Sequence, residues 1–329
     1  MAQPSIDVIQ ELGKALTPDQ VATDSLSLET YGQDWTRFAT PAPLAIVFPR
    51  STEDVVAVVH CARTHGFALV PSGGRTGLSG GAVAANGEVV VSMDKLKAVG
   101  AVNVTDRSVT VGAGAITQSI QDAASQVGLF YPVDFASSGS SQIGGNIATN
   151  AGGINVIRYG MTRDWVAGLT VVTGKGEVMA LNKGLMKNNT GLDFRHLFIG
   201  SEGILGFITE ATLKLTAPPK NATVLVLGLS DMDAIMRVLE RIQSTASLLA
   251  YEFFSELAVS KVVEHAGVAR PFDTQTPFYA LIEFENDSES IEAALFDAVE
   301  ACMEEGWVID AVMSQNVGQA RALWRLRED

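Results

Sequence analysis

Apolar runs and amphipathic segments alternate along the first two-thirds of the chain. The run PLAIVFP (43–49) predicts a buried strand between prolines. In the following STEDVVAVVHCARTHG, apolar positions at helical spacing predict a helix that begins after the N-cap Ser51 and ends at Gly66. The next run, FALVP (67–71), returns as a strand, so together these elements predict a βαβ unit.

The pattern continues with further short elements up to a Pro-Pro break. Helical spacing predicts helices over 5–16 and 117–127, and apolar runs predict strands at 88–92, 108–112 and 206–215. The segment VAGLTVVTGKGEVMAL (166–181) predicts a hairpin that turns at its Gly-Lys-Gly. We place a domain boundary at Pro218-Pro219, which gives a first domain of residues 1–218 and a second of residues 219–329.

The second domain has a different pattern, in which longer strands and helices alternate. Strands are predicted at 222–229, 248–254, 277–285 and 307–313, and the clearest helices at 231–245 and 288–305. This order is that of two βαβ-like halves. It predicts a ferredoxin-like α+β domain, with an antiparallel sheet covered by helices on one face.

Composition and charge exclude several classes of function. The 329-residue chain has a formal net charge of −14, which argues against binding to nucleic acids or to anionic membranes. Its two cysteines, Cys61 and Cys302, are far apart, which is typical of a reduced compartment. No apolar run has the length of a transmembrane segment, and the first residues lack a signal-peptide pattern. We therefore expect a cytoplasmic protein without a transmembrane segment.

The strongest chemical signal is the stretch PSGGRTGLSGGAV (71–83), which directly follows a predicted strand. Glycines allow successive backbone N–H groups to point at one ligand, and such nests bind anions, phosphates above all. Thr76 and Ser79 add hydroxyl groups, and Arg75 adds a positive charge. The simpler interpretation, a mobile surface loop, does not explain why Gly alternates with Ser and Thr immediately after a buried strand.

Two further glycine-rich stretches point to a ligand larger than a single phosphate. PVDFASSGSSQIGGNIATNAGG (132–153) carries two Gly pairs with Asn and Thr between them, and amide side chains suit the edge of a heterocycle. FIGSEGILGFITEATLKL (198–215) has three glycines just before a strand. The alternatives for these two stretches are a close-packed helix entry and a tight turn. Together the three stretches predict a dinucleotide site.

The sequence argues against two common nucleotide-binding motifs. The nearest match to the nicotinamide motif GxGxxG is VGAGAIT, which lacks the third glycine. No GxxxxGK[ST] motif occurs, so a P-loop is excluded.

Four ordered motifs resemble a known family. PSGGRTGLSGGAV, GSSQIGGNIATNAGG, RYGMTRDWVAGLTVV and GSEGILGFITE are similar to the FAD-binding domain of the vanillyl-alcohol-oxidase/p-cresol-methylhydroxylase (PCMH) flavoprotein superfamily. Within it, residues 30–329 resemble the group of D-lactate dehydrogenase, D-2-hydroxyglutarate dehydrogenase and the glycolate oxidase catalytic subunit. The resemblance implies an α+β fold: a PCMH-type FAD-binding domain of two α+β subdomains, followed by a cap domain that is incomplete at its C-terminus.

The resemblance also implies which residues bind FAD. The stretch 72–80 would wrap the pyrophosphate, through Ser72, Gly73, Gly74, Arg75, Thr76, Gly77, Ser79 and Gly80. The flavin and its ribityl chain would be lined by Pro132, Gly139, Ser140, Gly144, Gly145, Thr149, Asn150 and Gly153. The site would be completed by Glu202, Gly206 and Ile208. Because neither glycine stretch offers the histidine or cysteine that tethers flavin in some family members, we expect non-covalent FAD.

The end of the chain carries the candidate substrate residue. LWRLRE resembles the family segment whose arginine, here Arg327, contacts the substrate carboxylate, a task suited to the planar guanidinium. A surface arginine on an amphipathic helix is the simpler interpretation. Family members continue beyond this point with a histidine-rich stretch, which implies a divalent metal such as zinc and a catalytic base, both held by residues absent from this chain. The four histidines present form no metal-ligand pair.

These features predict an FAD-dependent enzyme that oxidises a D-2-hydroxy acid, such as D-2-hydroxyglutarate, D-lactate or glycolate, to the 2-keto acid by hydride transfer to flavin N5. Its electron acceptor could be oxygen, a quinone, a cytochrome or an electron-transfer flavoprotein. A homodimer is plausible on general grounds. Three alternatives remain open: a flavin-carrying electron-transfer subunit, an alcohol or lactone oxidase on the same scaffold, and a non-catalytic nucleotide-binding module.

Overall fold

The computed structural model of the chain describes residues 5–36 and 38–329. Its helices are α1 (Ser5–Ala15), α2 (Ser25–Tyr31), α3 (Thr52–His65), α4 (Thr117–Ser125), α5 (Ile143–Ala148), α6 (Val156–Tyr159), α7 (Thr162–Trp165), α8 (Arg195–Phe198), α9 (Met232–Gln243), α10 (Glu256–Ala266), α11 (Glu289–Glu304) and α12 (Val317–Glu328). Its strands are β1 (Val21–Ala22), β2 (Ala45–Val47), β3 (Leu69–Ser72), β4 (Val89–Ser92), β5 (Ser108–Gly112), β6 (Val166–Thr173), β7 (Val178–Leu181), β8 (Gly206–Lys214), β9 (Ala222–Leu229), β10 (Leu248–Ser255), β11 (Phe278–Glu285) and β12 (Val308–Met313).

The chain divides into two compact units. The first comprises Met1–Ala151 and Met161–Ala217, and the second comprises Gly152–Gly160 and Pro218–Asp329. The segment 152–160, which the sequence placed in the first domain, therefore belongs to the second unit. Within that unit α6 packs on β10, and the Arg158 guanidinium lies 3.2 Å from a Glu285 carboxylate oxygen. Among the described residues, no helix combines the length and apolar character of a bilayer span.

The first sheet of the first unit has the order β1-β2-β4-β3, in which β2, β4 and β3 are parallel. Parallel strands need a crossover, and α3 supplies it between β2 and β3. The helix begins where the sequence predicts, because the Ser51 hydroxyl accepts a hydrogen bond from the Asp54 N–H at 3.1 Å. It ends at Gly66, whose φ of 72° is the left-handed conformation that glycine adopts without strain.

The second sheet of the first unit is antiparallel, with the order β5-β8-β6-β7. The predicted hairpin is confirmed: β6 and β7 pair through the Gly174-Lys175-Gly176 turn, where Gly176 has a φ of 81°. Buried apolar side chains from both sheets and from α3 form one continuous core. A hydrogen bond of 2.9 Å between the hydroxyls of Thr52 and Thr209 also joins α3 to β8.

The second unit has the predicted ferredoxin-like strand order. Its antiparallel sheet runs β10-β11-β9-β12, which is the order 2-3-1-4 within the unit. The predicted α+β fold is thus confirmed. One detail of the prediction is wrong, since helices cover both faces of this sheet. Leu225 and Leu227 of β9 pack with α9 and α11, whereas Val224 and Val226 pack with α10 and α12. The strand is apolar on both sides because both sides are buried.

A charged cluster fastens α10 to the sheet of the second unit. The Glu256 carboxylate accepts hydrogen bonds from the Arg270 guanidinium at 2.6 Å, the Tyr279 hydroxyl at 2.6 Å and the Ser260 hydroxyl at 2.8 Å. These donors, Arg270 first, lower the pKa of Glu256 from 4.5 to about 2, against the opposing effect of burial. The folded state therefore gains stability from ionised Glu256 above pH 4.5, and this gain is lost as the pH falls towards 2.

We predict that Glu256→Gln lowers the free energy of unfolding by about 1–2 kcal/mol at pH 7, because a partly exposed charged hydrogen-bond network is weakened. The difference from the parent protein shrinks between pH 4.5 and pH 3. Chemical denaturation at both pH values measures this. Glu264→Gln, which breaks an exposed pair with Lys261, is the matched control and leaves the stability unchanged. A Glu256→Gln deficit of equal size at pH 7 and pH 3 would contradict the assignment.

Candidate functional site

The main cleft of the first unit lies where the three glycine-rich stretches meet. It has a cavity volume of about 350 Å³. Its walls come from the segments 71–82, 142–149 and 201–208, together with Asp34 and Met93. These segments are far apart in sequence: the first follows β3, the second is α5 with its caps, and the third leads into β8. The fold itself therefore assembles the site that the composition of the stretches predicts.

Gly74 allows the first glycine stretch to lie directly on the second. A Cβ placed on Gly74 would stand 2.9 Å from Ser141 Cα, and closer still to the Ser140 carbonyl oxygen. Such contacts with backbone atoms cannot be relieved by a rotamer change. The absence of a side chain at Gly74 therefore serves contact between two loops rather than contact with a ligand.

The two glycines of the Gly144-Gly145 pair in α5 have different surroundings: Gly144 packs against the core and Gly145 faces open space. A Cβ on Gly144 would lie 2.7 Å from the Ala113 Cβ, so this glycine lets α5 approach the core. Apart from its chain neighbours and its own helix backbone, a Cβ on Gly145 would meet no atom of the described residues within 4 Å, and Gly145 lines the cleft. The free space above Gly145 is therefore available to a ligand that approaches the backbone.

The cleft walls contain residues other than glycine in the left-handed backbone conformation. Arg75 has a φ of 58° and Glu202 a φ of 53°. This conformation is uncommon for residues with a side chain and is concentrated at functional sites. The third stretch is held in place by the Glu202 N–H, which donates to the Ala148 carbonyl at 2.8 Å, and by Arg163, which donates to the Ile199 carbonyl at 2.8 Å.

Two buried polar atoms on the cleft wall have no hydrogen-bond partner among the described residues. They are the Ser72 hydroxyl and the Gln142 Oε1, although the amide nitrogen of Gln142 donates to Asp94 Oδ1 at 2.6 Å. Buried polar atoms are nearly always paired, since an unpaired one costs about 1–3 kcal/mol. Both residues line the cleft, so a polar ligand that contacts them would satisfy these atoms.

Arg75, the arginine of the first stretch, is held by protein groups. Its guanidinium donates to the Gly73 carbonyl at 3.0 Å, lies 3.6 Å from Asp94 Oδ1, and stacks 4.3 Å from the centre of the Tyr31 ring. Burial, and then the Asp94 charge, raises the pKa of Tyr31. Because Asp94 balances the charge of Arg75, binding of a phosphate here depends mainly on backbone N–H groups.

A second cavity of about 410 Å³ borders the main cleft. It shares Pro71, Gly81, Glu202, Gly206 and Phe207 with the main cleft, and it reaches α3. FAD carries polar groups along its pyrophosphate and sugar hydroxyls. The open backbone at Gly145 and the unpaired polar atoms of the main cleft therefore fit FAD.

The structure brings most of the predicted cofactor residues to the cleft. Those that line it are Ser72, Gly73, Gly74, Arg75, Thr76, Gly77, Ser79, Gly144, Gly145, Thr149, Glu202, Gly206 and Ile208. Those outside its lining are Gly80, Pro132, Gly139, Ser140, Asn150 and Gly153. For three residues of this second group, Ser140, Asn150 and Gly153, the local structure explains why they lie outside the lining.

Ser140 lies beneath Gly74, Asn150 Oδ1 accepts a hydrogen bond from the Arg163 N–H at 2.9 Å, and Gly153 belongs to the second unit. Asn146, one of the amide residues between the two Gly pairs, also lines the cleft. The sequence did not indicate Asp34, Met93 and Gln142, which the fold also brings to the cleft. Of these three, only Gln142 lies within one of the glycine-rich stretches.

Arg327, the predicted substrate residue, lies in the last turn of α12 in the second unit. Its Nε donates to Glu252 Oε2 at 2.7 Å, and 45% of its side chain is exposed. Among the residues that the structure describes, no hydrogen bond engages its two terminal nitrogens, so these could meet a carboxylate. The described residues contain no group of three or more His, Cys, Asp or Glu side chains that could hold a metal ion, and the divalent metal implied by the resemblance finds no support.

Comparison with known proteins identifies the family. Residues 43–182 match the model described as FAD binding domain, and residues 218–329 match that of the FAD linked oxidases, C-terminal domain. A protein of Stutzerimonas stutzeri named D-2-hydroxyglutarate dehydrogenase is 55% identical over all of this chain and 70% of its own length. The chain belongs to the FAD-linked oxidases of the PCMH-type superfamily. The predicted family is thus confirmed, and with it FAD as the cofactor.

Two more distant comparisons agree. A D-2-hydroxyglutarate dehydrogenase of Xanthomonas citri pv. viticola is 52% identical over all of this chain and 69% of its own length. The structure of p-cresol methylhydroxylase with substrate bound superposes with a TM-score of 0.78 at 16% identity, and it covers 99% of this chain and 70% of that one. At 16% identity, the similarity to p-cresol methylhydroxylase establishes the fold alone.

Gly74 and Gly145 are expected to respond differently when a methyl group is added by substitution with alanine. Gly74→Ala is expected to lower the free energy of unfolding by about 2–3 kcal/mol, because the new Cβ overlaps backbone atoms of the second stretch. Gly145→Ala is expected to leave stability unchanged or to raise it by up to about 1 kcal/mol, because alanine favours the helix. FAD affinity of Gly145→Ala should nevertheless fall about tenfold or more, since the methyl group occupies ligand space.

Thermal unfolding of the flavin-free variants and titration with FAD separate these effects. The assignment of Gly145 to ligand contact is contradicted if Gly145→Ala binds FAD as tightly as the parent protein. The assignment of Gly74 to loop packing is contradicted if Gly74→Ala unfolds at the parent temperature.

Proposed function

We propose that this protein holds FAD non-covalently in the cleft of the first unit and oxidises D-2-hydroxyglutarate to the 2-keto acid. The observation that carries the substrate is the identity of 55% and 52% to two proteins named D-2-hydroxyglutarate dehydrogenase, in alignments that include the whole of this chain. The comparisons agree with the predicted reaction class, FAD-dependent oxidation of a D-2-hydroxy acid.

The cleft supports the cofactor assignment independently of the names. Its lining offers an open backbone at Gly145 and two buried polar atoms that need partners, on Ser72 and Gln142. No histidine, cysteine or tyrosine is among the described residues that line it, which favours non-covalent binding. When bound, FAD supplies the acceptor for the hydride that leaves C2 of the hydroxy acid.

The role of Arg327 in this proposal is to hold a carboxylate of the substrate. A guanidinium matches a carboxylate through two parallel N–H···O bonds, and Glu252 engages only the Nε of Arg327. Glu252 also fixes the side chain in one orientation, so a carboxylate would meet a preorganised partner.

The proposed reaction predicts that D-2-hydroxyglutarate bleaches the flavin absorption bands under anaerobic conditions. The L-isomer should leave the bands unchanged, and D-lactate and glycolate should reduce them more slowly. The measurement is an anaerobic visible spectrum of the purified protein before and after each acid is added.

The other outcomes distinguish the alternatives. Flavin bands that no hydroxy acid bleaches would contradict the substrate and favour an electron-transfer subunit or an alcohol or lactone oxidase. Bands that no donor of any class bleaches would favour a non-catalytic nucleotide-binding module. A protein that neither contains nor binds flavin would contradict the cofactor assignment itself.

Arg327→Ala is expected to raise the KM for D-2-hydroxyglutarate by about 10- to 100-fold, since a charge-assisted pair with the substrate carboxylate is lost. FAD content should stay at the parent level. Arg321→Ala, at an exposed arginine of the same helix, is the matched control and should change KM by less than about twofold. Equal KM values for the two variants would assign Arg327 to the surface pair with Glu252 alone.

Three parts of the proposal rest on the sequence. The proposed electron acceptor is a quinone, a cytochrome or an electron-transfer flavoprotein. The proposed assembly is a homodimer, on general grounds. The proposed location is the cytoplasm, because the two cysteines are unpaired.

A further inference from the structure

A buried carboxylate, Asp34, lies in the wall of the cleft beside the first glycine stretch. It lines the main cleft and is only 8% exposed. It was not a predicted site residue, since it lies in the loop after α2, far from the glycine motifs in sequence. Asp is rarely buried to this extent without a partner.

The loop that carries Asp34 is fixed to the glycine stretch. The Trp35 N–H donates to the Gly77 carbonyl at 3.0 Å. Asp34 Oδ1 accepts a hydrogen bond from the Thr36 N–H at 2.8 Å, which fixes the orientation of the carboxylate. Asp34 Oδ2 lies 3.8 Å from the position that a Cβ on Gly77 would occupy, so it stands beside the backbone of the stretch.

The charge of Asp34 determines what it can bind. Within residues 5–36 and 38–329, Asp34 forms no ion pair, and Arg75, the one cation among the described lining residues, is paired with Asp94. A carboxylate only accepts hydrogen bonds, and it repels phosphate. A ligand group that contacts Asp34 in the cleft would therefore be a hydrogen-bond donor and not a phosphate.

The ligand assigned to the cleft has such donors next to its phosphates. In FAD the pyrophosphate is flanked by the ribose of the adenosine half and the ribityl chain of the flavin half, both of which carry hydroxyl groups. The N–H groups of the glycine stretch suit the pyrophosphate. Asp34, at the edge of that stretch, is placed for the neighbouring hydroxyls, and acidic side chains are known partners of sugar hydroxyls in dinucleotide sites.

We propose that Asp34 is a further cofactor-binding residue, whose Oδ2 accepts a hydrogen bond from a sugar hydroxyl of FAD adjacent to the pyrophosphate. The proposal rests on the FAD site of the proposed function. The shared chemistry is a sugar hydroxyl, and its two sources are the ribose and the ribityl chain.

The test is a set of binding titrations on the flavin-free full chain. FAD and FMN are titrated directly through their fluorescence, and ADP, 2′-deoxy-ADP and 3′-deoxy-ADP by competition with FAD. The variants are Asp34→Ala and Asp34→Asn, the second of which keeps the shape of the side chain. Asp54→Ala is the matched control, because Asp54 also accepts a backbone N–H, from Arg50 at 2.8 Å, and lies outside the cleft.

Asp34→Ala is expected to weaken FAD binding by about 10- to 100-fold, and Asp34→Asn by less. If ribose is the source, the parent protein prefers ADP to one of its deoxy forms, and Asp34→Ala loses that preference. If the ribityl chain is the source, Asp34→Ala weakens FMN binding and leaves the ADP preference unchanged. Either result supports the proposal. The control variant, Asp54→Ala, is expected to bind all five ligands as the parent protein does.

Two results would overturn it. One is FAD affinity within about twofold of the parent in Asp34→Ala. The other is an equal weakening of all five ligands together with a lower unfolding temperature, which would assign Asp34 to loop structure. A parent protein that binds no FAD would overturn the proposed function, and the role of Asp34 with it.

Discussion

The candidate site depends on backbone lying against backbone. At Gly74 the first glycine stretch contacts residues 140–142 so closely that even a Cβ would not fit. This contact fixes the first stretch against residues 140–142, which lead directly into α5. Gly74 thus has a structural role, and the open space over Gly145 is where we propose that the ligand lies.

A second constraint is electrostatic. Among the described residues, the cleft lining combines the acidic Asp34 and Glu202 with one cationic side chain, Arg75. Asp94 balances the charge of Arg75, at 3.6 Å from its guanidinium. The carboxylates of Asp34 and Glu202 repel a free phosphate, so a phosphate group in this cleft depends on backbone amides. Such a distribution selects a ligand whose phosphates are flanked by hydrogen-bond donors. The unpaired atoms of Ser72 and Gln142 indicate the same kind of polar partner.

Features decided by a few neighbouring residues could be predicted from the sequence. Ser51 and Gly66 bound α3 because N-capping and the left-handed C-cap act within one turn. The strand order of the second unit followed from the alternation of its elements. The helices on the second face of its sheet were missed, because a continuous apolar run such as TVLVLGL in β9 does not tell how many faces are covered.

Long-range placement could not be predicted in the same way. Nothing near Asp34 in the sequence signals a cleft, since its role depends on the Trp35–Gly77 hydrogen bond between distant segments. The grouping of segment 152–160 with the second unit depends on β10 and Glu285, which lie about a hundred residues further on, so no local pattern indicates it.

Amide hydrogen exchange of the flavin-free chain, measured with and without FAD, tests whether backbone groups of the three converging glycine stretches hold the cofactor. FAD is expected to slow amide exchange within 72–79, 142–149 and 201–208. The sheet of the second unit is expected to exchange at the same rate with and without FAD. Slowed exchange confined to other segments, with the three stretches unchanged at saturating FAD, would contradict this assignment.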